Sequence, residues 1–238
     1  MSNLVLVVGA SSGIGRRIVE VLSKDMTVIA IARRKDRLDS LHDLGVITKQ
    51  FDVTDFEEIL PFVRQISKEY GRISSLIYAA GTQEINTIKS IQIDKAKKMF
   101  DVNFFGAMWF AKAFSNKLIR SKHNPSITFI SSVAGSQPEI GILNYSASKA
   151  ALNNLTKGLA KEIAPVRVNA IAPGFLRTEM TEKFQDIYNE EFISNMERSL
   201  PLGIGDVNDI AQVVKYLISE ESKYITGNIV NLDGGGSL

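Results

Sequence analysis

Short runs rich in apolar residues alternate with longer stretches of helical periodicity along nearly the whole chain. The runs occupy 3–8, 27–32, 46–52, 74–80, 127–131, 166–171 and 228–232. The first, 3–8, is apolar at nearly every position rather than at every second one, which suits a parallel strand buried on both faces. Helical spacing fills the intervals 16–24, 35–44, about 56–70, 94–120, 145–163 and 206–219, with Thr54 or Asp55 and Asp206 as candidate caps. Strands and helices that alternate in this way predict an α/β fold: a single doubly wound parallel sheet of about seven strands with helices on both faces. No linker, repeat or low-complexity block interrupts the pattern, so residues 1–238 read as one domain. The exception to the alternation follows Pro173 and Gly174, a polar excursion that carries Phe175, Leu176, Met180, Phe184, Tyr188, Phe192 and Met196. That much apolar surface in a connection predicts a lid over a pocket at about 175–202.

Charge and composition exclude several classes. Basic and acidic residues number 28 and 26, a balance that does not suit nucleic acid as the main partner. There is no cysteine, which removes disulfides, thiolate nucleophiles and thiolate metal sites. His42 and His123 lack metal-ligand spacing, and no metal is expected. The first residues form neither a signal peptide nor a membrane span, so a cytoplasmic protein with no membrane partner is expected.

The chemistry begins where the first run ends. Gly9, Ser11, Ser12, Gly13, Ile14 and Gly15 stand between a strand and a helix, where glycines admit a tight turn and let backbone approach a pyrophosphate at a helix N-terminus. The same residues satisfy G-x-S-x-G, the nucleophile elbow of a hydrolase, with Ser11 as nucleophile. That alternative needs a histidine late in the chain, and none follows His123. Arg33 and Arg34 end the second run, where an acidic residue would bind a ribose 2′-hydroxyl and arginine accommodates a 2′-phosphate; NADP(H) is therefore favoured over NAD. Asp52 lies at a strand's carboxyl end, in reach of an adenine, and Ala80 with Gly81 lets backbone pass close to a nucleotide. Asn103 is a polar amide within an aromatic stripe of Phe100, Phe104, Trp109 and Phe114, and a buried amide requires partners. Tyr145 and Lys149 are four apart on one helix, so the ammonium is expected to favour the phenolate and to lower the phenol's pKa, with the Ser132 hydroxyl nearby. The set reads as a general acid and base for a carbonyl or an alcohol.

Taken jointly, Gly9 to Gly15, Asp52-Val53, Ala79-Ala80-Gly81, Val102-Asn103, Ser131-Ser132, Tyr145 to Lys149, Val168-Asn169 and Pro173-Gly174 with Thr178 resemble the short-chain dehydrogenase/reductase family nearly end to end. The resemblance implies a catalytic tetrad of Asn103, Ser132, Tyr145 and Lys149, with Ser132 preferred to Ser131 by its spacing to the tyrosine. Tyr145 would exchange the hydroxyl proton, Ser132 position the substrate oxygen, Lys149 lower the tyrosine pKa and bind the nicotinamide ribose, and Asn103 anchor a relay water. Pro173, Gly174 and Thr178 would meet the nicotinamide end, and Arg33 the 2′-phosphate. In outline the chain is similar to the 3-oxoacyl-acyl-carrier-protein reductases, which implies reduction of a β-keto thioester with NADPH by a homotetramer or homodimer. A reductase of a sugar or other small alcohol or ketone is the alternative, and a non-catalytic NADP-binding protein a third. Val8 and the pair Tyr78-Ala79 depart from the family pattern of threonine and paired asparagines, which places local hydrogen bonding and cofactor affinity in question.

Overall fold

The structure is a computed structural model that describes residues 3–238. Its strands are β1 (Leu4–Val8), β2 (Thr27–Ala32), β3 (Ile47–Gln50), β4 (Ile73–Tyr78), β5 (Ser126–Ile130), β6 (Arg167–Pro173) and β7 (Ile229–Leu232). They form one seven-stranded parallel sheet, as the apolar runs predict, and its order is β3-β2-β1-β4-β5-β6-β7. The helices are α1 (Gly13–Leu22), α2 (Lys35–Asp39), α3 (Phe56–Tyr70), α4 (Ile93–Phe100), α5 (Gly106–Ser115), α6 (Leu143–Glu162), α7 (Glu179–Glu182), α8 (Glu190–Ser199) and α9 (Val207–Ile218).

β1 shows why its sequence has no polar alternation. Leu4, Leu6 and Val8 enter one core with Ile59 and Val63 of α3, Phe110 and Phe114 of α5, and Leu152 of α6. Val5 and Val7 enter the opposite core with Ile18 and Leu22 of α1 and Val214 and Leu217 of α9. Both faces are dry, and each such side chain contributes about 1.5–3 kcal/mol by leaving water. The strand order reverses between β1 and β4, and in an open sheet the crevice at the carboxyl ends on either side of that reversal holds the ligand.

Several boundaries differ from the helical spacing, each for a local reason. The stretch 94–120 resolves into α4, one π-helical turn at Asp101–Phe105, and α5. α5 stops at Ser115 because the next residue, Asn116, turns its side-chain oxygen onto the amide of Leu118 at 2.9 Å. The stretch 35–44 breaks after α2, where the Ser40 hydroxyl donates to the Arg37 carbonyl at 2.8 Å, and a short 3₁₀ turn follows at His42–Leu44. Asp206 caps α9 through the Asn208 amide, whereas Asp55 precedes α3 without a side-chain cap bond. α6 opens at Leu143, which puts Tyr145 inside its first turn.

Tyr78, one of the departures from the family pattern, carries a bond of its own. Its buried hydroxyl donates to the Val102 carbonyl at 2.6 Å, tying the end of β4 to the π-turn. Gly106 makes room for it, since a Cβ there would stand 2.3 Å from the Tyr78 hydroxyl. Burial pushes that phenol above its ordinary pKa, so it remains a donor.

The excursion at 175–202 contains α7 and α8. Phe175, Tyr188 and Phe192 pack ring on ring there, with Phe175 centred 5.1 Å from Tyr188 and 5.6 Å from Phe192. Among the described residues no helix is long and apolar enough to cross a membrane, and no cluster of His, Cys, Asp and Glu could hold a metal ion.

Candidate active site

Backbone constraints define the loop after β1. Gly9 has φ +89°, and a Cβ on it would meet the Ala80 amide at 2.4 Å, so the loop and the end of β4 touch through backbone alone. Gly15 is equally confined, its would-be Cβ 2.1 Å from the Gly9 carbonyl oxygen. Gly13 differs: φ is +51°, and a Cβ there would meet only the Thr178 side chain at 3.6 Å. Ser12 precedes α1 without capping it, leaving first-turn amides to face the crevice. Such amides with open space beside Gly13 suit a pyrophosphate. Ile14 lies behind them, packed against the core on the α1 side of the sheet.

The two arginines after β2 take different places. Arg34 donates from Nη2 to the Ser11 hydroxyl at 3.1 Å and the Ser12 hydroxyl at 2.8 Å, and from Nη1 to Glu179 at 3.2 Å. Arg33 points the other way and pairs with Asp52 at 3.6 Å. The Asp52 carboxylate already accepts from the Thr54 amide at 3.0 Å and hydroxyl at 2.8 Å. Desolvation raises its pKa, but the Thr54 bonds and the Arg33 charge outweigh this and hold it below the ordinary value. Val53 packs beside it against the core on the α3 side.

At the carboxyl ends of β4 and β5, four side chains converge. A Cβ on Gly81 would stand 3.6 Å from Lys149 Nζ and 3.7 Å from Asn103 Oδ1, so this glycine separates the two and Ala80 leads into it. Asn103 is fully buried; it accepts from the Thr82 amide at 2.8 Å and donates to the Thr82 carbonyl and the Ser148 hydroxyl, each at 3.0 Å. Its amide thus pins the loop after β4 to α6. Lys149 is buried and donates to the Ile130 carbonyl at 2.9 Å, and burial lowers its pKa to about 8. Burial pushes the Tyr145 phenol up to about 12, opposed by a hydrogen bond with Ser132, while the nearby Tyr188 phenol raises it further. The expected lowering by Lys149 is not what this geometry yields: the ammonium lies 5.6 Å from the centre of the Tyr145 ring and spends a bond on Ile130, so desolvation dominates. At neutral pH Tyr145 is a protonated acid.

The adjacent serines separate by partner. Ser131 donates to Asn153 at 2.6 Å and is used up as a tie between β5 and α6. Ser132 is left to the tyrosine, its oxygen also accepting from the Ala134 amide at 3.2 Å.

Residues 3–189 match the family described as short chain dehydrogenase. The chain belongs to that family. As a short-chain dehydrogenase it is an oxidoreductase, and it is 36% identical to the 3-oxoacyl-[acyl-carrier-protein] reductase FabG of Thermotoga maritima, over 97% of this chain and 96% of the relative. Among solved structures, it is similar to the aldohexose dehydrogenase of Thermoplasma acidophilum, with 33% identity, a TM-score of 0.88 and coverage of 99% and 94% of the two chains. A variant of actinorhodin polyketide ketoreductase with NADPH gives 28% identity, a TM-score of 0.89 and coverage of 98% and 97%.

The residues expected after β6 lie beside this crevice, and Glu179, which the sequence did not single out, joins them. β6 ends at Pro173, and Gly174 packs so tightly that a Cβ would lie 2.9 Å from Asp233. Thr178, N-terminal to α7, faces Gly13 of the glycine loop. Glu179 then reaches both Arg34 at 3.2 Å and Arg37 at 3.1 Å. Tyr188 accepts from Gln83 at 3.4 Å and lies close enough to Tyr145 to raise its pKa. Glu179 and Arg34 are 145 residues apart, so no local pattern could have linked them.

Proposed function

We propose that this enzyme is an NADP(H)-dependent carbonyl reductase, with a 3-oxoacyl thioester on acyl carrier protein as its substrate. The observation that carries the reading is the junction of two features at one crevice: Tyr145 beside Ser132 and Lys149, and an arginine seated on the serines of the glycine loop. The loop residues Gly9, Ser11, Ser12, Gly13, Ile14 and Gly15 would hold the pyrophosphate, Arg34 and Arg33 the 2′-phosphate side, and Asp52, Val53, Ala80 and Gly81 the adenosine side. Pro173, Gly174 and Thr178 would flank the nicotinamide half. The cofactor supplies a hydride to the substrate carbon when bound.

This chain's residues supply the rest. Ser132 Oγ orients the substrate oxygen, and Tyr145 Oη gives its proton to that oxygen as negative charge develops there. Lys149, cationic below about pH 8, stabilises the resulting phenolate and helps return the proton from solvent. Asn103 fixes the spacing of the loop and α6 around them. Residues 175–202 form the lid, and its aromatic cluster supplies an apolar wall for an acyl chain. A homodimer or homotetramer is part of the same reading, and light scattering tests it. A cytoplasmic setting suits this chemistry.

The identity to an aldohexose dehydrogenase supports a sugar as the second reading. Loss of NADPH absorbance with an acetoacetyl thioester, compared with NADP⁺ reduction by aldohexoses, decides between them. Turnover of neither, with NADPH bound, would leave a nucleotide-binding protein.

A further inference from the structure

The arginines beside the glycine loop already hold an anion, and it comes from the excursion after β6. Glu179 Oε2 lies 3.2 Å from Arg34 Nη1, and Oε1 lies 3.1 Å from Arg37 Nη1. One carboxylate therefore bridges two guanidinium groups, at the end of β2 where a ribose 2′-phosphate is recognised. Glu179 is the first residue of α7, next to Thr178, which faces Gly13. The bridge thus fastens the start of the excursion to the nucleotide crevice.

We propose that Glu179 is an internal competitor for the 2′-phosphate: its carboxylate occupies the arginine pair that a 2′-phosphorylated nucleotide requires, and arrival of that nucleotide releases α7. The proposal rests on the NADP(H) reading above. It assigns Glu179 a part in both cofactor choice and freedom of the lid.

Charge and geometry favour competition over a scaffolding role. A phosphomonoester carries about −1.5 to −2 charges at neutral pH against one for a carboxylate, and it takes a guanidinium fork in two parallel bonds. Arg34 does not need Glu179 to stay at the loop, because Nη2 is independently held by Ser11 and Ser12. Displacing the carboxylate leaves the arginine where it is and frees the helix. A nucleotide without the 2′-phosphate brings nothing to exchange for the Glu179 bonds and leaves the latch closed.

Calorimetric titration with 2′,5′-adenosine bisphosphate and with 5′-AMP tests this on the wild type, Glu179→Gln and Glu179→Ala. Both pairs are about half exposed, so loss of the competitor is expected to tighten the bisphosphate by about five-fold and leave 5′-AMP unchanged. Amide exchange in 179–188 is expected to quicken in the wild type with the bisphosphate but not with 5′-AMP. In both variants it is expected to be fast throughout. Thermal unfolding checks that the variants are folded, and Glu179→Ala repeats the test without the amide's residual hydrogen bonding. Bisphosphate affinity that is unchanged or weaker in both folded variants overturns the competitor and assigns Glu179 to scaffolding. Equal affinity of the wild type for the two nucleotides overturns the NADP(H) reading itself, and the proposal with it.

Discussion

Lys149 donates its ammonium to the main-chain carbonyl of Ile130 at 2.9 Å, at the end of the strand that leads to Ser132. The bond holds the cation in place but does not repay its desolvation, and the pKa falls to about 8. Between about pH 8 and the unfolded value of about 10.5, the unfolded chain binds a proton at this site that the folded chain has lost. Stability from this group therefore rises with pH across that window, by about 3 kcal/mol at most. Urea unfolding of the cofactor-free protein at pH 7 and pH 10 is expected to show the wild type gaining on Lys149→Met as pH rises. A difference between the two that shrinks, or does not move, would contradict the buried-cation account.

Removing the Tyr145 hydroxyl should separate chemistry from binding. Tyr145→Phe keeps the ring against Met99, Ala134 and Ile142 and deletes only the acid. kcat is expected to fall by about 10²–10⁴-fold, the usual contribution of a positioned proton donor, while NADPH affinity by calorimetry changes less than about three-fold. A variant that retains more than a tenth of the wild-type kcat would move the acid elsewhere.

Much of this was legible in sequence because burial leaves a period and the cofactor loop leaves glycines. β1 could be read as a central strand since Leu4 to Val8 are dry on both faces, and the alternation of runs carried the sheet. Tyr145, Lys149 and Ser132 were legible because helix spacing and the end of one strand bring them together. What spacing could not give was the outcome of competing terms. The phenol's pKa depends on desolvation set by the whole fold, and Ser131 differs from its neighbour Ser132 by a bond to Asn153, a partner on another element that no strand pattern marks. The π-turn around Asn103 was hidden because its residues keep the apolar spacing of a continuous helix.

Two glycines of the loop should respond to alanine in opposite ways. Gly9→Ala puts a methyl 2.4 Å from the Ala80 amide at φ +89°, so backbone must move, and a loss of about 3–5 kcal/mol or failure to fold is expected. Gly13→Ala meets nothing closer than Thr178 at 3.6 Å and suffers only the φ of +51°, an expected cost of about 1 kcal/mol. Its methyl would instead intrude on the cradle, and NADPH affinity is expected to fall by at least about ten-fold in a folded protein. Denaturant midpoints beside nucleotide titrations measure both effects, and a Gly13→Ala protein that binds normally would remove Gly13 from the cradle.

Arg33 and Arg34 look equivalent by adjacency in sequence but differ in what holds them. Arg33 is two-thirds exposed and its carboxylate partner is 3.6 Å away, so its removal loses a pair of the kind that contributes between nothing and about 1 kcal/mol. Arg34 is fixed by two hydroxyls of the glycine loop and lies nearer the first-turn amides of α1, so a 2′-phosphate there meets a guanidinium that needs little ordering. Arg34→Gln is expected to weaken NADPH by about 30-fold or more and NADH by less than three-fold, reversing much of the cofactor preference. Arg33→Gln is expected to weaken NADPH by less than about five-fold. Steady-state kcat/KM for the two cofactors in both variants gives the comparison directly. If Arg33→Gln proves the more damaging, the phosphate sits toward Asp52 and Gln50 at the outer edge of β2, and Glu179 then has no anion to compete with.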